Sequence, residues 1–181
     1  MWPVYLAPSV HHLSLWDDAP RMRRCAMAAV AGAPNVELLD LSTAPHQHQS
    51  PRFDLILVNS VTQYMTPAEV QTWLRRWCAM LAPRGQIVVS DVVPPDYPAG
   101  RDLWIVLQVS ARRGFIVRAL YDAVRVMPLY WRARRVRPLL RISEGELRQW
   151  AAVAGLTVRF LPENLTYFRD RIAAVFTRLP A

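Results

Sequence analysis

The run Phe53–Val58 (FDLILV) constrains this chain more than any other stretch. Five of its six residues are apolar. A strand of that composition is expected to be buried on both faces, as in a parallel sheet. Parallel neighbours need long crossovers, usually helices. The flanking sequence supplies segments of both kinds in alternation.

Upstream, Val10–Leu15 (VHHLSL) is a strand candidate that ends at Asp17 and Asp18. Asp18 can cap a helix starting near Ala19, with Pro20 in its first turn. Met22, Cys25, Ala26, Ala29 and Val30 fall on one face of that helix. Gly32 ends it and Pro34 prevents its return. Val36–Leu39 is a second strand, closed by Asp40. A polar loop carrying His46 and His48 follows.

Downstream, Thr66-Pro67-Ala68-Glu69 is a capping box with proline at the first helical position. The helix behind it is expected to bury Val70, Trp73, Leu74, Trp77 and Leu81. Pro83-Arg84-Gly85 breaks it before a strand at Gln86–Val93. Arg101–Met127 reads as two helices hinged at Gly114, with Arg118, Asp122 and Arg125 opposite the apolar face of the second. Tyr130–Arg141 is irregular. Ser143-Glu144-Gly145-Glu146 is a second capping box. Its helix ends at Gly155, and Leu156–Leu161 and Arg171–Arg178 form a terminal antiparallel pair. This alternation predicts one open α/β sheet with helices on both faces. A single domain over residues 1–181 is the expected organisation.

Charge adds one localised feature. Every basic side chain is arginine, and the net charge is +8. Residues 101–141 hold 10 arginines against 2 acids, while the rest of the chain is close to neutral. That segment is an Arg-rich helical insert suited to an anionic partner at one face. No run approaches the roughly 20 apolar residues that span a bilayer. Residues 1–14 lack the features of a secretory signal, and a cytoplasmic location is expected. Cys25 and Cys78 are expected to be small buried hydrophobes. His46 and His48 have metal-like spacing without an evident third ligand, so no metal site is expected.

Four pieces in order resemble the class I S-adenosylmethionine-dependent methyltransferases. They are Asp17-Asp18-Ala19-Pro20-Arg21-Met22, Phe53-Asp54-Leu55-Ile56, Leu81-Ala82-Pro83-Arg84-Gly85 leading into Ile87–Asp91, and Ser143-x-x-Glu146-Leu147 through Gly155-Leu156. The resemblance implies a Rossmann-like sheet, mostly parallel, with a C-terminal antiparallel hairpin and S-adenosylmethionine as cofactor. It implies that Asp17 takes the ribose hydroxyls, since a carboxylate accepts two hydrogen bonds side by side. Asp40 would accept from the adenine amino group and the backbone of Leu41 would contact the ring. Asn59 and Ser60 would line the methionine end. Tyr64, Asp91 and Tyr97 follow strand ends and could face a substrate. No catalytic residue is nominated, because positioning supplies much of the barrier reduction for methyl transfer.

The sequence departs from that family in one respect. The six glycines lie at 32, 85, 100, 114, 145 and 155, so none precedes Asp17. The first strand and its glycine-rich loop are absent, and Met1–Ser9 reads as the tail of the helix that would follow them. Two expectations result. Either the natural start lies upstream, which is favoured, or the remaining pieces close up without binding the cofactor in the usual way. They are alternatives because removing a strand that lies at the centre of the family's sheet would leave two half-sheets with unpaired edges.

The expected acceptor is a small molecule, lipid or glycan, of anionic character if the arginine insert receives it. That insert could also meet a membrane surface peripherally. The rival readings are a non-catalytic methyltransferase-like module and, less favoured, a nucleic-acid binder. Asn59-Ser60-Val61-Thr62 departs from the Asn/Asp-Pro-Pro-aromatic signature of nucleobase amino methyltransferases.

Overall fold

Among the described residues six strands form two sheets rather than one. The computed structural model describes residues 2–39, 53–98, 100–121, 123–125, 132 and 138–179. They group into two compact units, residues 1–48 and 49–181.

The first unit opens with helix α1 (Trp2–Leu6) and a 3-10 turn (Ala7–Ser9), so the helical reading of the first nine residues holds from Trp2 onward. Strand β1 (Leu13–Leu15) pairs in parallel with β2 (Val36–Leu38). The expected strand from Val10 is shorter because the Val10 carbonyl accepts from the Asn35 side chain at 2.8 Å instead of joining a ladder. The crossover between them contains α2 (Pro20–Ala29), with proline in its first turn as the sequence required. Its cap differs from expectation. Asp17, not Asp18, accepts a local backbone hydrogen bond, from Ala19 N at 2.8 Å. The apolar face of α2 is also less covered than expected. Met22 and Cys25 are exposed and only Val30 is buried. A two-stranded sheet has little area with which to cover a helix.

The second unit holds β3 (Phe53–Asn59), β4 (Leu81–Val92), β5 (Leu156–Phe160) and β6 (Ile172–Arg178) in the order β3-β4-β6-β5. The β3–β4 pair is parallel. Both β4–β6 and β5–β6 are antiparallel, the terminal hairpin anticipated from sequence. Burial on both faces was expected for β3 and is found at β4 instead. Leu55 of β3 is 51% exposed, whereas every residue from Val89 to Val93 is buried. The reason is position: β4 has a neighbour on each side, and β3 has β4 alone among the described residues.

Helix α3 (Pro67–Met80) begins with the Thr66–Glu69 capping box, both of its hydrogen bonds formed. It buries Val70, Leu74 and Trp77, while Trp73 and Cys78 are partly covered. Helix α5 (Glu144–Val153) begins with the Ser143–Glu146 box and buries Leu147, Trp150 and Ala151. Together with Ile87, Val89 and Phe176 of the sheet these form the core. Each such apolar side chain stabilises the fold by roughly 1.5–3 kcal/mol. The α3 helix stops at Met80 and β4 starts at once, so Pro83-Arg84-Gly85 lies in the strand. Gly85 permits this pairing. A Cβ there would sit 2.6 Å from the Phe53 carbonyl oxygen.

Helix α4 (Arg101–Arg112) follows Gly100, whose φ of 83° only glycine adopts freely. Gly114, at φ 77°, separates it from a helical stretch at residues 116–121, the hinge read from the sequence.

Candidate functional site

The parallel pairing of β3 with β4 sets Asn59 beside Ser90 at the carboxyl ends of the strands. Ligands of open α/β sheets bind at such ends. The residue after each member of this pair has a left-handed backbone: Ser60, just past β3, at φ 57°, and Asp91, where the β4–β6 register shifts near the end of β4, at φ 68°. Such geometry costs a non-glycine residue about 1–3 kcal/mol and persists only where surrounding contacts fix it.

Those contacts are side-chain hydrogen bonds. Ser60 Oγ donates to Asp91 Oδ2 at 2.6 Å. Ser90 Oγ donates to Asn59 Oδ1 at 2.6 Å, and Asn59 Nδ2 donates to Ser60 Oγ at 3.1 Å. Asp91 Oδ1 accepts from Asn164 Nδ2 at 3.1 Å and from Thr166 Oγ1 at 2.9 Å. The Asp91 amide N–H donates to Asn164 Oδ1 at 3.0 Å. The loop between β5 and β6 therefore clasps the end of β4.

Arg171, just before β6, completes the cluster. Its side chain and that of Asp91 are each 3% exposed, and they meet at 3.1 Å. Arg171 also donates to Gln63 Oε1 at 2.8 Å and to Asp102 Oδ2 at 2.6 Å. Its guanidinium carbon lies 5.2 Å from the centre of the Tyr97 ring and 4.5 Å from that of Phe168. Burial opposes the charged guanidinium, but Asp91 and Asp102 outweigh it and raise its pKa. The pair of aspartates thus holds a cation that never titrates. Tyr97 donates its hydroxyl to Asp102 Oδ1 at 2.6 Å. Burial and that carboxylate push its phenol up to about 12, so it stays protonated.

Above this polar floor lies a cavity of about 930 Å³. Ser60, Gln63, Tyr64, Asp91, Tyr97, Asp102 and Arg171 line its polar side. Leu103, Val106 and Leu107 of α4, with Phe115, Ala119 and Leu139, give it apolar walls. Arg118 lines the cavity too, rather than facing away from the apolar side of its helix.

Four residues expected from sequence, Ser60, Tyr64, Asp91 and Tyr97, thus border one cavity. Tyr64 is largely exposed there, while Asp91 and Tyr97 are buried. The Asn59 amide is occupied in bracing the strand ends. Asp17 stands between β1 and α2 in the first unit, one carboxylate oxygen engaged by Ala19. Asp40 and Leu41 lie outside the described residues, as do His46 and His48. Sequence reasoning missed Gln63, Asp102, Asn164, Thr166 and Arg171. Only Arg171 carried a signal, a cation directly before the apolar run of the last strand.

No protein-family model matches the sequence, and no curated protein matches it. Solved structures do. The S-adenosylmethionine-dependent methyltransferase SibL matches with a TM-score of 0.60 at 18% identity, over 98% of this chain and 47% of its own. Magnesium protoporphyrin IX methyltransferase (ChlM) from Synechocystis PCC 6803, solved with bound SAH, matches at 0.57 and 12% identity, over 98% and 68%. LaPhzM matches at 0.60 and 12% identity, over 98% and 46%.

The chain has the class I methyltransferase fold.

It spans about half the length of SibL and LaPhzM. Within the methyltransferase fold, the β5–β6 hairpin supplies Arg171, and the stretch between β4 and α5 supplies the apolar cavity walls. No helix among the described residues is long and apolar enough to cross a membrane.

Proposed function

We propose that this protein transfers a methyl group from S-adenosylmethionine to a small-molecule acceptor held in the cavity of the second unit. The observation that carries the reading is the braced pair of strand ends. Ser60 and Asp91 lie in strained backbone at the carboxyl ends of parallel strands and open onto a large apolar cavity.

The donor would supply an electrophilic methyl on a sulfonium. Ser60 fits its methionine end as a hydroxyl at a strand tip, with Asn59 bracing it from behind. Asp17, one of whose carboxylate oxygens accepts from Ala19 N, keeps the ribose role that the family resemblance gives it. Asp40 and the Leu41 backbone keep the adenine roles that the family resemblance gives them. Tyr64, on the exposed side of the cavity, and the buried Tyr97 are the acceptor-facing groups in this proposal.

The cavity residues position rather than take protons. Asp91 is saturated with donors, Asp102 is shared by Arg171 and Tyr97, and Tyr97 remains a phenol. Walls of leucine and valine exclude water around the acceptor. Holding two reactants in attack geometry can supply several kcal/mol of the barrier, roughly 7–11 in favourable cases.

Calorimetric titration of the full chain with S-adenosylhomocysteine tests the proposal. Saturable heat in the micromolar range, lost on Ser60→Tyr, is the expected result. The rival reading is a non-catalytic module of the same fold. It predicts no heat at any practical concentration, and that outcome would remove the methyl-transfer proposal.

A further inference from the structure

The helical stretch after Gly114 is apolar on two sides. Residues 116–121 and 123–125 are helical. Ala119 and Ala123 line the cavity. Val117, Leu120, Tyr121 and Val124 are exposed instead, Val117 at 78% and Val124 at 76%. Their spacing, i, i+3, i+4 and i+7, sets these four on one helical face, turned away from positions 119 and 123. Single exposed apolar side chains need no explanation, but a continuous stripe marks an interaction surface.

The charges beside the stripe select the partner. Arg125 donates to the Tyr121 hydroxyl at 2.8 Å, its guanidinium carbon 5.5 Å from the ring centre. Arg113, at the end of α4, makes the same kind of pair with Tyr167 of the β5–β6 loop, at 2.5 Å and 5.3 Å. All four side chains are exposed. A phenol carries no charge at neutral pH, so neither pairing neutralises its arginine. Among the described residues of 101–141 the one carboxylate, Asp102, is bound to Arg171. The stripe therefore lies in a positively charged surround.

A second copy of the chain fits this face poorly. A two-fold pair brings the same patch to itself, and the arginines would face arginines. A basic amphipathic face suits either an acidic protein groove or an anionic lipid surface. Tyrosine beside the stripe favours lipid. Its ring settles at headgroup level, where arginine also meets phosphate.

We propose that this face docks on an anionic lipid surface. Val117, Leu120, Tyr121 and Val124 enter the boundary between headgroups and acyl chains, and Arg113 and Arg125 meet the lipid phosphates. One helix then separates the lipid from the apolar cavity. The inference is independent of methyl transfer and needs no donor bound.

The test is co-sedimentation of the full chain with two kinds of vesicle. One is phosphatidylcholine alone, the other phosphatidylcholine and phosphatidylglycerol in equal parts. Binding to the anionic vesicles should be at least about tenfold tighter at low salt, and the preference should shrink at high salt. V117Q/V124Q removes the apolar contribution without changing charge, and should weaken anionic binding about tenfold. Glutamine favours helix at least as well as valine, so the helix should persist, which ellipticity checks. R113Q/R125Q should lower the preference for anionic vesicles about tenfold. Equal binding to the two vesicle types, or binding unchanged in either variant, would overturn the inference. Without vesicle binding, self-association lost in V117Q/V124Q would assign the stripe to a second copy, and retention on polyglutamate would assign it to an acidic protein. Either result would also overturn it.

Discussion

Replacing Arg171 by methionine removes the cation but keeps most of the side-chain volume. Asp91 would then be a carboxylate only 3% exposed and without a counter-ion. Removing one partner of a buried ion pair typically costs about 3–5 kcal/mol, because the other charge stays buried. Here Asp91 retains three neutral donors, from Ser60, Thr166 and Asn164. Asp102 keeps the Tyr97 hydroxyl and is partly exposed. Both facts place the loss near the lower bound, about 3 kcal/mol. Urea unfolding followed by ellipticity measures it. The double variant Asp91→Asn/Arg171→Met leaves no buried charge at this pair, and should recover about 2 kcal/mol relative to the sum of the single losses. Additivity of the two substitutions to within about 0.5 kcal/mol would refute the view of this cluster as one electrostatic unit.

Tyr97 gives a pH prediction. Its folded-state pKa of about 12 lies above the ordinary value of 10.0, so its contribution to stability is complete below pH 10 and lost as pH rises toward 12. Alkaline unfolding of Tyr97→Phe should lack that loss, and in the wild type the phenolate absorbance of one tyrosine should appear only near the top of this range. Gly85→Ala places a methyl 2.6 Å from the Phe53 carbonyl and should destabilise the second unit by about 2–3 kcal/mol in thermal unfolding, through loss of the β3–β4 register. An unchanged midpoint would mean that this close approach is not required.

The secondary structure was legible wherever its cause is local. The capping boxes at Thr66 and Ser143 formed as read, because a hydroxyl and a carboxylate three residues apart satisfy orphan N–H groups without help from elsewhere. The hinge at Gly114 and the stop at Gly155 followed from the left-handed backbone that glycine tolerates. The order of strands and helices also pointed correctly to an α/β fold. The candidate site was legible in part. Ser60, Asp91 and Tyr97, singled out for their places near strand ends, line the cavity, and strand ends are visible in apolar patterning.

What the sequence could not decide was which strand is enclosed and which charges meet. FDLILV reads as a buried strand, but burial depends on neighbours in the sheet, and among the described residues β4 rather than β3 has one on each side. Arg171 lies 108 positions from Gln63 and 69 from Asp102. No periodicity connects residues so far apart. Their meeting is set by β6 pairing antiparallel to β4, which carries the start of the last strand to the end of the one that bears Asp91. Local hydrogen bonding and side-chain periodicity fix the elements. Packing of the sheet alone determines that one arginine is buried among two carboxylates beneath an apolar cavity.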